Sequence, residues 1–228
     1  MREGERVSPL ELFFDLVFVL AITQCTQLMS NDPTWGGLAQ GLLVLAVLWW
    51  AWVGYSWLTS VVDPEDDAVR LVIFVAMAAL MVAALCVPEA FDGLALTFAL
   101  AYGVVRIAHI GLFLIASRDD PEFRKSVVGL TVSTGIGLAL LLTASAVDGF
   151  AQGALWAAAI ALDMGGPILI PPEGWRLMPG HFAERHGLIV LIALGESIVA
   201  IGVAIGVGLS FGQGAAAVLG IGLAAALW

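Results

Sequence analysis

Positive charge is scarce in this 228-residue chain: nine Lys and Arg stand against nineteen Asp and Glu, giving a formal net charge of −10. No basic patch offers itself to nucleic acid. Cysteine is almost missing. Cys25 and Cys86 have neither Cys nor His at ligand spacing, so the sequence writes no zinc motif and no disulfide framework. They read as packing residues, to be bridged only if the ends of their helices touch. HExxH, Gly-x-Ser-x-Gly and P-loop patterns are absent too. A hydrolase built on Ser197 beside Glu196 would need adjacent helical residues, about 100° apart, to act as nucleophile and base. The expectation is a protein that is not an enzyme and uses no cofactor and no metal.

Apolar sequence is what the chain has in excess. Hydrophobic residues make up 61% and charged residues 12%, with mean hydropathy +0.99, whereas soluble domains carry about 25% charged residues. The fold class is therefore all-α, a polytopic transmembrane helix bundle whose first partner is the lipid bilayer. Apolar runs give eight candidate spans, near 9–30, 34–60, 68–87, 92–117, 124–146, 150–170, 182–207 and 212 onward. The eighth reaches only about 24 Å before Trp228, short of a 30 Å hydrocarbon core. Seven complete spans and a truncated eighth imply a piece of something longer. Arg2, Arg6, Arg70, Arg118, Arg124, Lys125 and Arg176 all fall on one side of this arrangement, and the opposite connections hold no Lys or Arg. By the positive-inside rule the N-terminus is cytoplasmic and the protein lies in the cytoplasmic membrane.

Two carboxylates open the first span. Glu11 and Asp15 are four apart and share a helix face. Ser8-Pro9-Leu10-Glu11 reads as a capping box with Pro at the first helical position, which accounts for Glu11. Asp15 lies a turn deeper, where a charge costs about 2.5–3.5 kcal/mol on insertion scales unless paired or hydrated. A functional role is the default for it. An echo appears at 181–188, where Glu184 falls on Glu11 and opens another long apolar helix, with Glu196 three turns further in. Two such openings suggest a tandem of six-helix repeats, 1–180 and the start of another at 181–228.

Counted from the cytoplasmic ends at about 1.5 Å per residue, Asp15, His109, Asp163, Arg106 and Glu196 occupy one slab, about 9–20 Å deep. Arg106 and His109 are i and i+3 and face one neighbour. A guanidinium cannot shed its charge, so Arg106 requires a carboxylate from Asp15, Asp163 or Glu196, with depth favouring Glu196. The alternatives are an inert pair that fixes helix packing, or a set that takes up and releases protons during transport. Pro167 after Asp163 would kink or break the sixth helix. His181 and His186 read as interfacial, where titration or capping explains them. Trp49, Trp50, Trp52, Tyr55 and Trp57 read as an interfacial aromatic belt, and Asp63, Glu65, Asp66 and Asp67 as helix-start acids rather than a cation vestibule. Gly37-x-x-x-Gly41, Gly202-x-x-x-Gly206 and Gly208-x-x-x-Gly212 are spacings that chance alone supplies among 26 glycines.

Pro9-Leu10-Glu11-Leu12-Phe13-Phe14-Asp15-Leu16-Val17-Phe18, the Trp/Tyr run before Asp66-Asp67, Arg106-Ile107-Ala108-His109, and His181-Phe182-Ala183-Glu184-Arg185-His186-Gly187-Leu188 with Leu194-Gly195-Glu196-Ser197 resemble the bacterial low temperature requirement A (LtrA) family over essentially the whole chain. The resemblance implies a bacterial membrane protein linked to growth in the cold, with Glu11, Phe14, Glu184, Arg185, Gly195 and Ser197 as motif residues. It implies no molecular activity. Phe13-Phe14-Asp15 also matches two of the three positions of the Phe-Ser-Asp that opens each six-helix repeat of two-repeat potassium channels, a likeness of architecture. The reading is a transporter or channel for a cation, proton or small solute, with Asp15, Arg106, His109, Asp163 and Glu196 on or beside the pathway. The other reading is a non-transporting membrane factor for envelope or lipid maintenance in the cold. A homo-oligomer stays open.

Overall fold

The computed structural model describes residues 7–169, 177–205 and 210–227. Arg2, Arg6, Arg176, Gly206, Gly208 and Trp228, and the side chain of Pro167, lie outside the described residues. The described residues form eight α-helices: α1 (Pro9–Asn31), α2 (Trp35–Leu58), α3 (Asp67–Cys86), α4 (Ala95–Ala116), α5 (Pro121–Ala144), α6 (Gly149–Leu169), α7 (Pro179–Ile205) and α8 (Phe211–Leu227), with one 3-10 turn at Val87–Glu89. They match the eight apolar runs to within a few residues. Helices α1 to α5 and α7 are long and apolar enough to cross a membrane, and α8 is shorter. The chain is a membrane-type helical bundle.

Local chemistry sets the helix starts. Ser8 and Glu11 form the reciprocal capping box that opens α1, with Pro9 in the first turn. Thr34 caps α2, Asp66 caps α3 through the amides of Ala68 and Val69, and Asp120 caps α5 just before Pro121. Asp67 pairs with Arg70 one turn on. At least two of the four acids around α3 are thus occupied by the helix they begin.

Helix contacts close a ring in the order α1, α3, α4, α5, α6, α2 and back to α1, with α2 also touching α4 across it. Outside this ring α7 packs on α1 and α2, and α8 packs on α7. Cys25 and Cys86 are buried and unbridged. The spacing at Gly37 and Gly41 is not idle: a methyl at Gly41 would lie 2.3 Å from Met29 Cγ, and one at Gly37 2.1 Å from the Asp32 carbonyl oxygen. Both glycines let α2 close against the end of α1. Helix α6 runs unbroken through Leu169, so of the kink or break expected after Asp163 the break does not occur.

Candidate functional site

Helices α1 and α7 run parallel, and each brings one i, i+4 pair to their contact. Glu11 and Asp15 come from α1, His181 and Arg185 from α7. Parallel helices with matched spacing form a two-rung ladder. On the first rung His181 Nε2 lies 3.2 Å from Glu11 Oε1, while its Nδ1 lies 3.3 Å from Ser60 Oγ. On the second, Arg185 Nη2 donates directly to Asp15 Oδ1. Arg185 Nη1 donates to Thr59 Oγ1 at 3.1 Å and stands 3.6 Å from Glu11 Oε1. Trp52 Nε1 donates to Asp15 Oδ1 at 2.7 Å, and the Arg185 guanidinium lies 5.5 Å from the centre of the Trp52 ring, a cation–π contact. Asp15 is fully buried and Arg185 is 1% exposed.

This ladder corrects several readings. Glu11 is the capping residue expected, but its second oxygen faces α7. Glu184 is exposed, and its neighbour Arg185 is the inward group. The repeat alignment therefore set a buried acid over an exposed one. His181 is a buried ladder group, and His186 rests on Trp52 and Phe182 with ring centres at 4.8 and 4.2 Å; neither is an interfacial cap. Trp52 and Tyr55 are buried and hydrogen-bonded inside the bundle rather than in an aromatic belt. The signal for Arg185 was present, since His181 and Arg185 repeat the spacing of Glu11 and Asp15 with opposite charge.

A second buried cluster joins α4, α5 and α6. Arg106 Nη2 lies 2.8 Å from Asp163 Oδ2. The same nitrogen donates to Thr134 Oγ1 at 2.6 Å, and Thr134 donates to Asp163 Oδ1 at 2.6 Å. Asp163, not Glu196, is the partner of Arg106. Depth misled here because helix adjacency decides the pairing: α4 packs chiefly on α3, α5 and α2, whereas α7 packs chiefly on α1 and α8. Glu196 is half-buried on α7, and no hydrogen bond or ion pair reaches it among the described residues. Gly195 is open, and the Ser197 hydroxyl donates to Ala193 O at 2.9 Å. The slab of five thus divides into Arg106 with Asp163, Asp15 with Arg185, His109 alongside Arg106, and Glu196 apart.

Tyr55 connects the two clusters. Its ring lies 4.8 Å from Phe14 and 5.2 Å from His109, and its hydroxyl donates to Val105 O at 2.8 Å. His109 is 1% exposed, and neither ring nitrogen makes a hydrogen bond among the described residues. Its ring occupies the space a side chain at position 54 would need: a methyl on Gly54 would stand 2.8 Å from His109 Cε1 and Nε2 and 3.5 Å from Arg106 Nη1. Gly54→Val should therefore lower stability by about 1–3 kcal/mol through overpacking, and adding His109→Ala should return most of it. Thermal unfolding in detergent checks both.

Each cluster borders a crevice with room for about one water molecule. One is walled by Tyr102, Thr134, Gly137 and Asp163, the other by Glu11, Tyr55, Thr59 and Arg185. Buried polar atoms remain without a hydrogen bond among the described residues: Glu11 Oε1, Asp15 Oδ2, Arg106 Nε, Arg185 Nε and both nitrogens of His109. Native interiors leave few such atoms unsatisfied. No group of three or more His, Cys, Asp or Glu is placed to hold a metal among the described residues.

A Rhizobium meliloti (strain 1021) protein named only as uncharacterized is 34% identical over 202 residues, 84% of this chain and 49% of that protein. The chain spans about half the length of this relative. No solved structure matches it. The family model for bacterial low temperature requirement A protein (LtrA) matches residues 6–228, and with Glu11, Asp15 and Arg185 on one ladder, and Arg106 beside His109 in the other cluster, this chain belongs to the LtrA family.

Proposed function

We propose that this protein is a transporter or channel of the bacterial cytoplasmic membrane, moving a proton, another cation or a small solute, with its N-terminus in the cytoplasm. The observation that carries the reading is the linked pair of buried charge clusters, each beside a water-sized crevice and each retaining unsatisfied polar atoms. Charges inside a bundle mark ion or proton pathways more often than packing. The route runs from the crevice at Glu11 and Arg185, past Tyr55 and His109, to Arg106 and Asp163. Glu196 extends it: it is eleven residues, or three turns, beyond Arg185 on the same stripe of α7 and about 16 Å further along. Its half-buried carboxyl lacks a partner among the described residues, which suits a group that meets a solute or a further helix. Helices α1 to α6 form the first six-helix unit in this proposal, α7 and α8 begin a second, and the chain acts as carrier rather than enzyme.

The two crevices are narrow and both guanidiniums are paired. That dryness favours the second reading, a non-transporting factor whose clusters hold helices together and whose role lies in envelope or lipid maintenance in the cold. Flux separates the two. Purified protein in liposomes, assayed across protons, sodium, potassium and small solutes, should move one of them, and Asp15→Asn should abolish that flux while inserting normally. Zero flux across the whole panel by well-inserted protein would hand the function to the second reading.

Orientation is checked on its own. In intact cells Asp32→Cys and Asp148→Cys should react with an impermeant thiol reagent and Arg118→Cys should not. The reverse pattern would overturn a cytoplasmic N-terminus.

A further inference from the structure

The ladder between α1 and α7 does not balance its own charge. Glu11 and Asp15 bring two negative charges, Arg185 brings one positive charge, and the fourth member, His181, is positive only when protonated. The other titratable side chains of α7 stay outside the set: Glu184 is exposed, Glu196 is three turns away, and the His186 ring lies on Trp52 with its Nδ1 2.8 Å from Phe182 O. On α2 the facing groups are the hydroxyls of Thr59 and Ser60 just beyond its end and the Tyr55 phenol, whose proton is given to Val105 O. Helix α8 contains no titratable residue. With both carboxylates ionised, a neutral His181 would thus leave one uncompensated negative charge among groups that are at most 9% exposed, and buried charge without compensation is strongly disfavoured.

We propose that the Glu11–Asp15–His181–Arg185 ladder is a binding site for one proton, held on the His181 ring between Glu11 and Ser60, and that this proton joins α7 to α1. The hydrogen-bond inventory fits the doubly protonated ring. Ser60 Oγ donates to Ser56 O at 3.3 Å, so its lone pairs are free to accept from His181 Nδ1–H, while Nε2–H faces the Glu11 carboxylate. Both ring nitrogens then act as donors, and the four groups sum to zero charge. Glu11 also lines the crevice at this end of the bundle, and its Oε1 makes no hydrogen bond among the described residues. The crevice thus places space for one water beside the carboxylate that faces the ring. Release of that proton leaves a net negative charge between the two helices and loosens the first rung. The proposal deepens the transport reading by naming the ion at this site, and the binding measurement below stands apart from flux.

Solid-state NMR of the protein in lipid nanodiscs, with isotope-labelled histidine, reads the charge on each ring. His181 is assigned by the signal lost in His181→Asn. At about pH 8, where a free histidine is neutral, wild-type His181 should still give the imidazolium signature. Removing one negative charge by Glu11→Gln or, independently, by Asp15→Asn makes the set neutral without the proton, so His181 should become a neutral ring at the same pH. Adding sodium or potassium at fixed pH should leave the wild-type signal unchanged. A neutral His181 in the wild type, a ring still charged in both carboxylate variants, or displacement of the proton by either metal cation would each overturn the proposal.

Discussion

Arg185→Met should destabilise the attachment of α7 by about 3–5 kcal/mol, because it leaves Asp15 fully buried with only Trp52 Nε1 as a donor and removes the partner of Thr59 and Glu11. The loss should be local. Helix α7 lies outside the six-helix ring, with its main contacts to α1, α2 and α8, and can detach while the ring stays folded. The readout is protease access to α7 in detergent, expected to rise sharply while helical content from α1 to α6 is retained. Cooperative unfolding of the whole chain in Arg185→Met would instead place α7 within the folding core.

Arg106→Met should act through the whole bundle. Arg106 ties α4 to Thr134 on α5 and Asp163 on α6, so its loss leaves a buried carboxylate at the centre of the ring, again at about 3–5 kcal/mol. Because α4, α5 and α6 are consecutive members of the closed ring, the midpoint of global unfolding should fall rather than that of one helix. Adding Asp163→Asn to Arg106→Met removes the stranded charge and should recover most of the loss, since an uncharged pair of similar volume is nearly neutral in such sites. Denaturant titration in mixed micelles measures all three variants.

The contrast between these two arginines shows what the sequence can and cannot disclose. Eight apolar runs were legible, because lipid solvation demands about twenty apolar residues per span, and so was the cap of the first helix, because Ser8 sits where its amides need an acceptor. That Arg106 needed an acid was legible as well, from the cost of an unpaired guanidinium. Which acid was not: Asp15, Asp163 and Glu196 lie at comparable depths, and only the packing of α4 against α5 and α5 against α6 brings Asp163 to it. Glu184 draws the alignment with Glu11, so its neighbour Arg185 stands only among the motif residues of the family resemblance, with no partner assigned. The spacing of His181 and Arg185 held the better clue, but it becomes informative only once α1 and α7 are parallel neighbours. Trp52 and Tyr55 show the same limit, since an aromatic run near a helix end looks alike whether it meets headgroups or covers a buried carboxylate.

Asp15 on α1 and Arg185 on α7 form one buried pair that holds the α7 helix in register, and a double-mutant cycle measures their coupling. Stability would be measured for the wild type, Asp15→Asn, Arg185→Met and the double variant in the same micelles. Direct contact predicts that the two losses are not additive, with the double variant closer to wild type than Arg185→Met and a coupling of about 2–3 kcal/mol. Additive losses, with coupling within about 0.5 kcal/mol of zero, would mean that the two residues do not meet and would contradict the ladder on which this account rests.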